Sequence, residues 1–159
     1  MPLPSTGSVA QSRASFVRLM VPTDANFMGH VFGGAILAEV DRVAFVTAQR
    51  HAHAPCVTAS IDRMDFIAPV HVGDVVDFDA TLTWVGRSSM EVWVTVTAEA
   101  AIGGPRRRVG EAFVTMVAVT PDGRPTTVPP LALADDDERH RFAEGQQRME
   151  ARRRSRRRE

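Results

Sequence analysis

Three consecutive segments in the second half of the chain alternate apolar and polar residues with a period of two. They are DVVDFDATLTW from Asp74, MEVWVTVTAEA from Met90 and RVGEAFVTMVAV from Arg108. Such alternation is typical of strands that bury one face. The short connections VGRSS and IGGPRR allow neighbouring strands to run antiparallel. The sequence therefore predicts an antiparallel meander, and SFVRLMV and CVTASIDRMDF are further strand candidates.

One long apolar segment precedes this meander and has the spacing of a helix, from about Gly33 to Arg50. Strands and helix need each other to bury their apolar faces. The simplest arrangement is an α+β fold in which a curved sheet wraps around the helix. A chain of 159 residues suits one such domain.

The flanking segments differ in composition from this central part. Residues 1–14 are rich in Pro, Ser and Gly and are predicted to form a flexible arm. Residues 15–131 form the predicted domain. Residues 132–159 predict an exposed terminal helix that frays into an arginine-rich tail, and the adjacent acidic run DDDE is its expected intramolecular partner.

Composition excludes several classes of function. The 19 basic and 19 acidic residues cancel, so no overall field indicates a nucleic-acid partner. The single cysteine, Cys56, excludes an internal disulfide and a cysteine-cluster metal site. We find neither a secretory signal nor a stretch of about 18 apolar residues. We therefore expect a cytoplasmic protein without a membrane partner.

An aspartate interrupts the apolar side of the predicted helix. On a helical wheel, Asp41 lies about 200° from Glu39, between apolar residues. Glu39 and Arg42 are expected to pair on the solvated side. Because an unpaired buried carboxylate is costly, Asp41 is either a structural hydrogen-bond acceptor or a group held ready as a general base or nucleophile.

Two glycines stand at the start of this helix, and an asparagine lies in the loop before it. Backbone N–H groups at Gly33 and Gly34 would suit an anion or an oxyanion. Tight packing of the helix entry against the sheet is the alternative explanation. Asn26 offers an amide to a carbonyl or a water molecule, but asparagine in such a loop also forms turns.

The segment PTDANFMGHVFGGAILAEVD resembles the signature of the hotdog-fold acyl-CoA thioesterases, in the branch of cytosolic acyl-CoA hydrolases and their single-domain bacterial relatives. VTASIDRMDFIAPVHVGDVV, VGRSSMEVWVTV and EAFVTMVAV extend the resemblance from about Phe16 to Leu131. It implies a five-stranded antiparallel sheet around a long central helix, with a C-terminal helix. It also implies hydrolysis of fatty acyl-CoA to the free acid and coenzyme A.

The resemblance further implies a catalytic pair formed by Asn26 of one subunit and Asp41 of its partner. Gly34 would polarise the thioester carbonyl through its backbone N–H. Asp41 would activate water or attack the thioester directly. The expected assembly is a homodimer as the minimal unit and a trimer of dimers as the full particle. No cofactor is implied, since coenzyme A belongs to the substrate.

Further residues are expected to bind the substrate. The turn residues Arg87, Ser88 and Ser89 resemble the loop that lies near the nucleotide part of coenzyme A, although a solvated hairpin turn explains them equally well. Arg63 and Phe66, expected on the strand beside the site, would line the pantetheine path, although that strand would carry an Arg–Asp pair regardless. Gly33 is expected to bind the substrate at the helix start. Trp93 is predicted to be exposed and to mark a subunit contact.

Other hypotheses are weaker. His51 and His53 lie in a loop that we expect to be solvated and, with His30 elsewhere, form no convincing metal-ligand pattern, so no metal is predicted. The arginine run after Ala151 could bind RNA or an acidic membrane, but a solvated tail is the simpler interpretation. A non-catalytic acyl-CoA sensor is the alternative function; it would need no Asp41. A hotdog dehydratase would need a catalytic histidine, and only His30 lies near the helix start.

Overall fold

The computed structural model describes residues 6–159 and contains a five-stranded antiparallel sheet around a long central helix. The predicted fold class is confirmed. In chain order the elements are β1 (Gly7–Ser8), α1 (Val9–Ser12), β2 (Ala14–Leu19), a 3₁₀ turn (Pro22–Asp24), α2 (Gly33–Ala52), β3 (Cys56–Asp62), β4 (Asp74–Val85), β5 (Ser89–Ala100), β6 (Arg107–Ala118), β7 (Leu131–Ala132) and α3 (Asp136–Arg156).

The large sheet has the strand order β2-β4-β5-β6-β3, so β2 and β3 are its two edges. Its inner face supplies alternate residues of β4, β5 and β6 to the core, as the period of two predicted. Register shifts interrupt the β4–β5, β5–β6 and β3–β6 pairings. Such bulges bend the strands they interrupt, and the curved sheet encloses one side of α2.

Helix α2 is 20 residues long, about 30 Å, and ends where His53 adopts the left-handed conformation at φ 51°. The sheet covers the side that carries Val40, Val43 and Ala44, none of which is exposed. The opposite side, with Asp41 and Phe45, stays accessible in the single chain.

The side of α2 assigned to solvent by the sequence is in part buried. Glu39 is only 8% exposed, because Arg18 on β2 reaches it together with Arg42. The prediction of a solvated Glu39–Arg42 pair was therefore wrong for Glu39. Sequence periodicity does not reveal a charged partner that arrives from another element.

The predicted flexible arm is ordered from residue 7 onward, and residues 1–5 of that prediction lie outside the described residues. Strand β1 pairs in parallel with β7, and Ser8 caps α1 in a capping box with Gln11. Val9 and Ser12 are buried. The small and polar composition that suggested a loose arm instead provides caps and close packing.

The C-terminal helix packs on the sheet and does not fray after Ala151, which corrects the prediction of an exposed, fraying helix, whereas residues 153–159 are exposed as expected of the arginine-rich tail. Helix α3 continues to Arg156 and lies on the outer face of the sheet, where Gly145 and Met149 are buried. Arg148 makes two hydrogen bonds, of 2.8 and 3.0 Å, to Glu91. Arg152 pairs with Asp62 rather than with the acidic run.

Trp93 also differs from its prediction as an exposed subunit contact. It is half-buried on the outer face of the sheet, and its indole N–H donates to Glu111 at 2.7 Å. The guanidinium of Arg141, on α3, lies 5.6 Å from its ring. The terminal helix thus occupies the surface that the sequence assigned to another subunit.

Within residues 6–159, no helix combines the length and the apolar composition that a membrane-spanning segment needs.

Replacing Arg148 by methionine should destabilise the fold. Glu91 is only 1% exposed and would keep just the hydroxyl of Thr83 as a side-chain partner, at 2.6 Å. A buried charge that loses its partner is costly, so we expect a loss of about 2–4 kcal/mol in the free energy of unfolding. Denaturant titration measures it. Arg157→Met, at an exposed position, should change stability by less than about 0.5 kcal/mol. Equal effects of both variants would contradict this docking role.

His51 is a buried histidine that the sequence placed in a solvated loop. It lies in the last turn of α2, and its Nε2 donates to the carbonyl oxygen of Pro129 at 2.7 Å. Nδ1 has no hydrogen-bond partner within the described chain. Burial lowers the pKa of His51 below its ordinary 6.5, the Pro129 carbonyl opposes this shift, and His53 adds to it.

The fold should lose stability as the pH falls through 6.5. Below pH 6.5, His51 is protonated in the unfolded chain but still largely neutral in the folded chain. The unfolded chain therefore binds more protons, and acid favours unfolding. We expect the fall in melting temperature between pH 7.5 and 5.5 to be smaller in His51→Gln than in the wild type. His53→Gln, at an exposed position, removes only the smallest contribution to the His51 shift and should keep most of the wild-type slope. Parallel slopes for all three proteins would contradict the role of His51.

Candidate active site

The loop that carries Asn26 is a narrow hairpin joined to the start of α2. The N–H of Phe32 donates to the carbonyl of Asp24 at 3.0 Å, and the N–H of Asn26 donates to the carbonyl of His30 at 2.7 Å. Gly29 has φ +82°, which suits glycine at the tip. The loop is therefore held in a defined position just before the helix.

The amide oxygen of the Asn26 side chain is hydrogen-bonded, whereas its amide nitrogen is available to a ligand. Its Oδ1 accepts hydrogen bonds from the backbone N–H groups of Met28 (3.0 Å) and His30 (3.2 Å). Two donors fix this oxygen and thereby the orientation of the amide. Within residues 6–159, Nδ2 donates to no protein group. Asn26 thus forms the turn and also keeps an N–H donor free for a ligand.

The two glycines at the start of α2 lie against aromatic rings. A Cβ on Gly33 would lie 3.3 Å from the ring of Phe66, and one on Gly34 would lie 3.0 Å from the ring of Phe32. The helix entry is tightly packed, but against a loop and its own N-cap residue, not against the sheet as the sequence suggested. The first N–H groups of a helix have no partner within it, so the same geometry leaves donors at this end.

Asp41 accepts a hydrogen bond of 2.6 Å from the hydroxyl of Thr58 through its Oδ1. It is half-buried and lies on the accessible side of α2, not on the side that faces the sheet. The apolar residues around it on the helical wheel are therefore only partly covered by this chain. The hydroxyl holds the carboxylate in one orientation and leaves Oδ2 for another partner.

Thr58 is a candidate site residue that the sequence reasoning missed. It lies on the edge strand β3, opposite Met116 of β6. A register shift between Thr58 and Ser60 reverses the faces of the strand. Thr58 therefore faces α2, whereas Ser60 and Asp62 bind Arg152 of α3 on the other side of the sheet. The only sequence signal was a hydroxyl residue in the strand that follows the helix.

Asn26 and Asp41 do not meet within one chain. Asp41 lies eight residues beyond Gly33, about 12 Å along the helix axis. No hydrogen bond joins Asn26 to Asp41 in the part of the chain that the structure describes. One subunit therefore presents two separate groups, one at the helix entry and one further along its accessible side.

Arg63 and Phe66 lie in the loop after β3, not on the strand where the sequence placed them. β3 ends at Asp62, and Arg63 has a positive φ of 24°. Phe66 contacts the helix entry at Gly33, as expected for a residue beside the site. Arg63 instead pairs with Asp65 at 2.9 Å and lines a cavity beneath α3.

The turn Arg87–Ser89 lies at the end of the sheet next to the start of β3, away from the helix entry. Ser89 pairs with Val117, one position from the level of Thr58. The carbonyls of Arg87 and Ser88 accept the N–H groups of Val128 (2.8 Å) and Ala118 (2.9 Å). The turn is therefore anchored through its backbone, and the Arg87 side chain is exposed.

Cys56 lies two residues before Thr58 but is not a candidate nucleophile. Burial raises the pKa of its thiol to about 11. The thiolate is the reactive form of cysteine, so this thiol is protonated at neutral pH. The candidate chemistry at this end of β3 is left to Asp41.

Comparison with known proteins identifies relatives over most of the chain. Residues 28–101 match the model of the thioesterase superfamily. The chain is 35% identical over 138 residues to an uncharacterized acyl-CoA thioester hydrolase of Bacillus subtilis, covering 87% of this chain and 80% of that protein. It is 33% identical over 144 residues to the human cytosolic acyl coenzyme A thioester hydrolase but spans only 38% of its length.

Solved structures of acyl-CoA thioesterases and hydrolases are also similar to this chain. An apo-hexameric acyl-CoA thioesterase is 38% identical, with a TM-score of 0.89 and coverage of 96% of this chain and 97% of that one. The acyl-CoA hydrolase of Staphylococcus aureus, solved with butyryl coenzyme A, coenzyme A and coenzyme A disulfide, is 33% identical, with a TM-score of 0.86 and coverage of 95% and 92%. Alanine variants of that hydrolase at an asparagine, an aspartate and a threonine have also been solved.

Replacing Thr58 by valine should lower the rate of acyl-CoA hydrolysis without unfolding the protein. Valine keeps the shape of threonine but removes the donor that orients Asp41, and small errors of placement cost large factors in rate. We expect kcat to fall about ten- to a hundredfold, measured as thiol release. Thr81→Val, on the outer face of β4, is the matched control and should keep the wild-type rate. An active Thr58→Val enzyme would exclude this orienting role.

Proposed function

The chain belongs to the thioesterase superfamily as an acyl-CoA thioester hydrolase, and we propose that it releases fatty acids from fatty acyl-CoA at sites shared between two subunits. The observation that carries the proposal is the arrangement of Asn26 and Asp41. Each has an available polar end, and the two are separated within one chain. In a dimer, Asp41 of the partner subunit would complete the site of Asn26, and Asn26 of the partner subunit would complete the site of Asp41.

Each group has a distinct role in the proposed reaction. The thioester carbonyl lies at the start of α2, where the N–H of Gly34 and the positive end of the helix stabilise the oxyanion. Asn26, in the loop before this same helix, donates from Nδ2 to the substrate or to the attacking water, and Asp41 comes from the partner subunit.

Asp41 either removes a proton from the water that attacks the carbonyl carbon or attacks that carbon itself, giving an anhydride that water then cleaves. In both routes the C–S bond breaks and coenzyme A leaves as a thiolate that takes up a proton. A burst of thiol equal to the number of sites would favour the anhydride route, in which acylation precedes a slower hydrolysis. Side chains, backbone N–H groups and water supply all the chemistry, so we propose no further cofactor.

The accessible surface around Asp41 supports a subunit interface. Phe45 on α2 and Ile61 on β3 are exposed apolar side chains on neighbouring elements. β3 is also an edge strand, with backbone groups open to pairing. We propose that two copies associate through this surface. The similarity to an apo-hexameric thioesterase supports a trimer of such dimers.

The apolar residues at the helix entry support a fatty acyl substrate. Phe27 and Met28 at the loop tip are 99% and 68% exposed, and Phe32 and Phe66 are also exposed. An apolar acyl chain would cover these side chains. We assign the phosphates of coenzyme A to the turn residues Arg87, Ser88 and Ser89, because a guanidinium and hydroxyls suit phosphate. Arg63 is the weaker candidate, since Asp65 already pairs with it.

The function is tested by thiol release from acyl-CoAs of graded chain length. Asp41→Asn removes the base or nucleophile and should lower kcat by about a thousandfold or more, and Asn26→Ala by about a hundredfold. Both variants should keep the wild-type oligomer, checked by light scattering. A wild type that binds acyl-CoA without releasing thiol would instead be a sensor, and full activity in Asp41→Asn would remove Asp41 from the mechanism.

Mixed oligomers of these two inactive variants test whether sites are shared. Each mixed dimer would contain one site with both Asn26 and Asp41 intact and one site with neither. Random mixing of equal amounts should therefore restore about a quarter of the wild-type activity. If both groups of a site came from one chain, the mixture would stay as inactive as its components.

A further inference from the structure

Arg18 interrupts the apolar inner face of the edge strand β2. Ala14, Phe16 and Met20 alternate with exposed residues and pack toward the core, and Arg18 occupies the same face. Its side chain is 34% exposed, so much of it lies beneath the start of α2. A charged residue at such a position needs partners.

Two carboxylates from different elements bind this one guanidinium. Nη2 lies 2.7 Å from Oδ1 of Asp24, and Nη1 lies 3.1 Å from Oε1 of Glu39. Asp24 and Glu39 are only 6% and 8% exposed. Arg42 also contacts Glu39, at 2.5 Å, but does not contact Asp24. Arg18 is therefore the only arginine in the described residues that bridges the two carboxylates.

Asp24 fixes the base of the loop that carries Asn26. Its Oδ2 accepts the N–H of Val21 at 3.0 Å, and its carbonyl accepts the N–H of Phe32 at 3.0 Å. Asn26 follows two residues later, at the beginning of the hairpin. A shift of Asp24 would therefore move both the Asn26 turn and the last residue before the helix.

Glu39 provides the second anchor, on the helix itself. It lies two residues before Asp41, on the side of α2 that β2 covers. The guanidinium of arginine is planar and holds two carboxylates in a fixed geometry. Arg18 thus ties the loop of Asn26 to the helix segment of Asp41.

We propose that Arg18 is a positioning residue for hydrolysis, acting through the placement of the Asn26 loop; this inference rests on the proposed function. In a site shared by two subunits, the Asn26 and Asp41 of one chain serve two different sites. Arg18 therefore connects the two sites of a dimer. A charge on an edge strand can also simply discourage aggregation, but that role requires neither two buried partners nor a link to the loop.

The experiment compares kcat and KM for wild type, Arg18→Met and Arg42→Met, each alone and combined with Asn26→Ala. Methionine keeps the apolar stem of arginine and removes its charge. Arg18→Met should lower kcat about tenfold or more, with KM changed by less than about threefold, because placement and not substrate affinity is lost. Arg42→Met removes a contact to Glu39 but none to the loop, so it should stay within about twofold of wild type.

The double variant separates positioning from a general structural effect. If Arg18 acts through Asn26, Arg18→Met should change kcat by less than about twofold once Asn26 is alanine. An equal loss in both backgrounds would overturn the proposal, as would wild-type kcat in Arg18→Met while Asn26→Ala is impaired. Full turnover in Asn26→Ala would instead overturn the shared-site mechanism and this inference with it.

Arg18→Lys keeps the test decisive if the methionine variant does not fold. A lysine ammonium keeps the charge but cannot hold two carboxylates in the fixed geometry of a guanidinium. We expect an intact oligomer, with kcat lowered about fivefold or more and, again, little effect in the Asn26→Ala background. Wild-type kcat in a folded Arg18→Lys enzyme would overturn the proposal.

Discussion

The one-sided enclosure of α2 by the sheet determines most of the remaining structure. Five strands bury one side of the helix completely, and Val40, Val43 and Ala44 have no exposed surface there. The other side keeps Asp41 and a set of apolar residues accessible. A core helix with an uncovered side is an incomplete structure for a single chain. The same incompleteness places the candidate carboxylate where a second subunit and a substrate can reach it.

Ion pairs connect the layers around this core. Among the described residues, four carboxylates are less than a tenth exposed, and each is bound by an arginine from another part of the chain: Asp24, Glu39, Asp74 and Glu91. Buried pairs add little net stability, but losing one partner is costly. These contacts therefore fix how the elements sit relative to one another. Arginine suits the task because one side chain can bind two acceptors in a plane.

The sequence predicted the features that follow from periodicity and missed those that depend on tertiary partners. Alternation located the strands, and the helical wheel singled out Asp41. Glu39 was misassigned to solvent because Arg18 reaches it from a strand about twenty residues earlier. The sequence of helix α3 is mostly polar, yet the helix packs on the sheet through the ion pair of Arg148 with Glu91. Glu91 is one of the alternating residues of β5, so the sequence did not indicate that it is buried. Thr58 was missed because its orientation depends on a local irregularity of β3.

The register shift at Ala59 changes which face of the sheet the even-numbered residues of β3 occupy. Before Ala59, an even-numbered position of β3 faces the central helix, and after it the even-numbered positions face α3. A single inserted residue thus directs Thr58 toward the candidate carboxylate and Ser60 and Asp62 toward α3. The positions of β3 that tolerate substitution should therefore change from odd to even numbers, or the reverse, at Ala59. Deleting that one residue would remove the irregularity yet keep Thr58 toward the central helix and Ser60 toward α3, because adjacent residues of a regular strand face opposite sides.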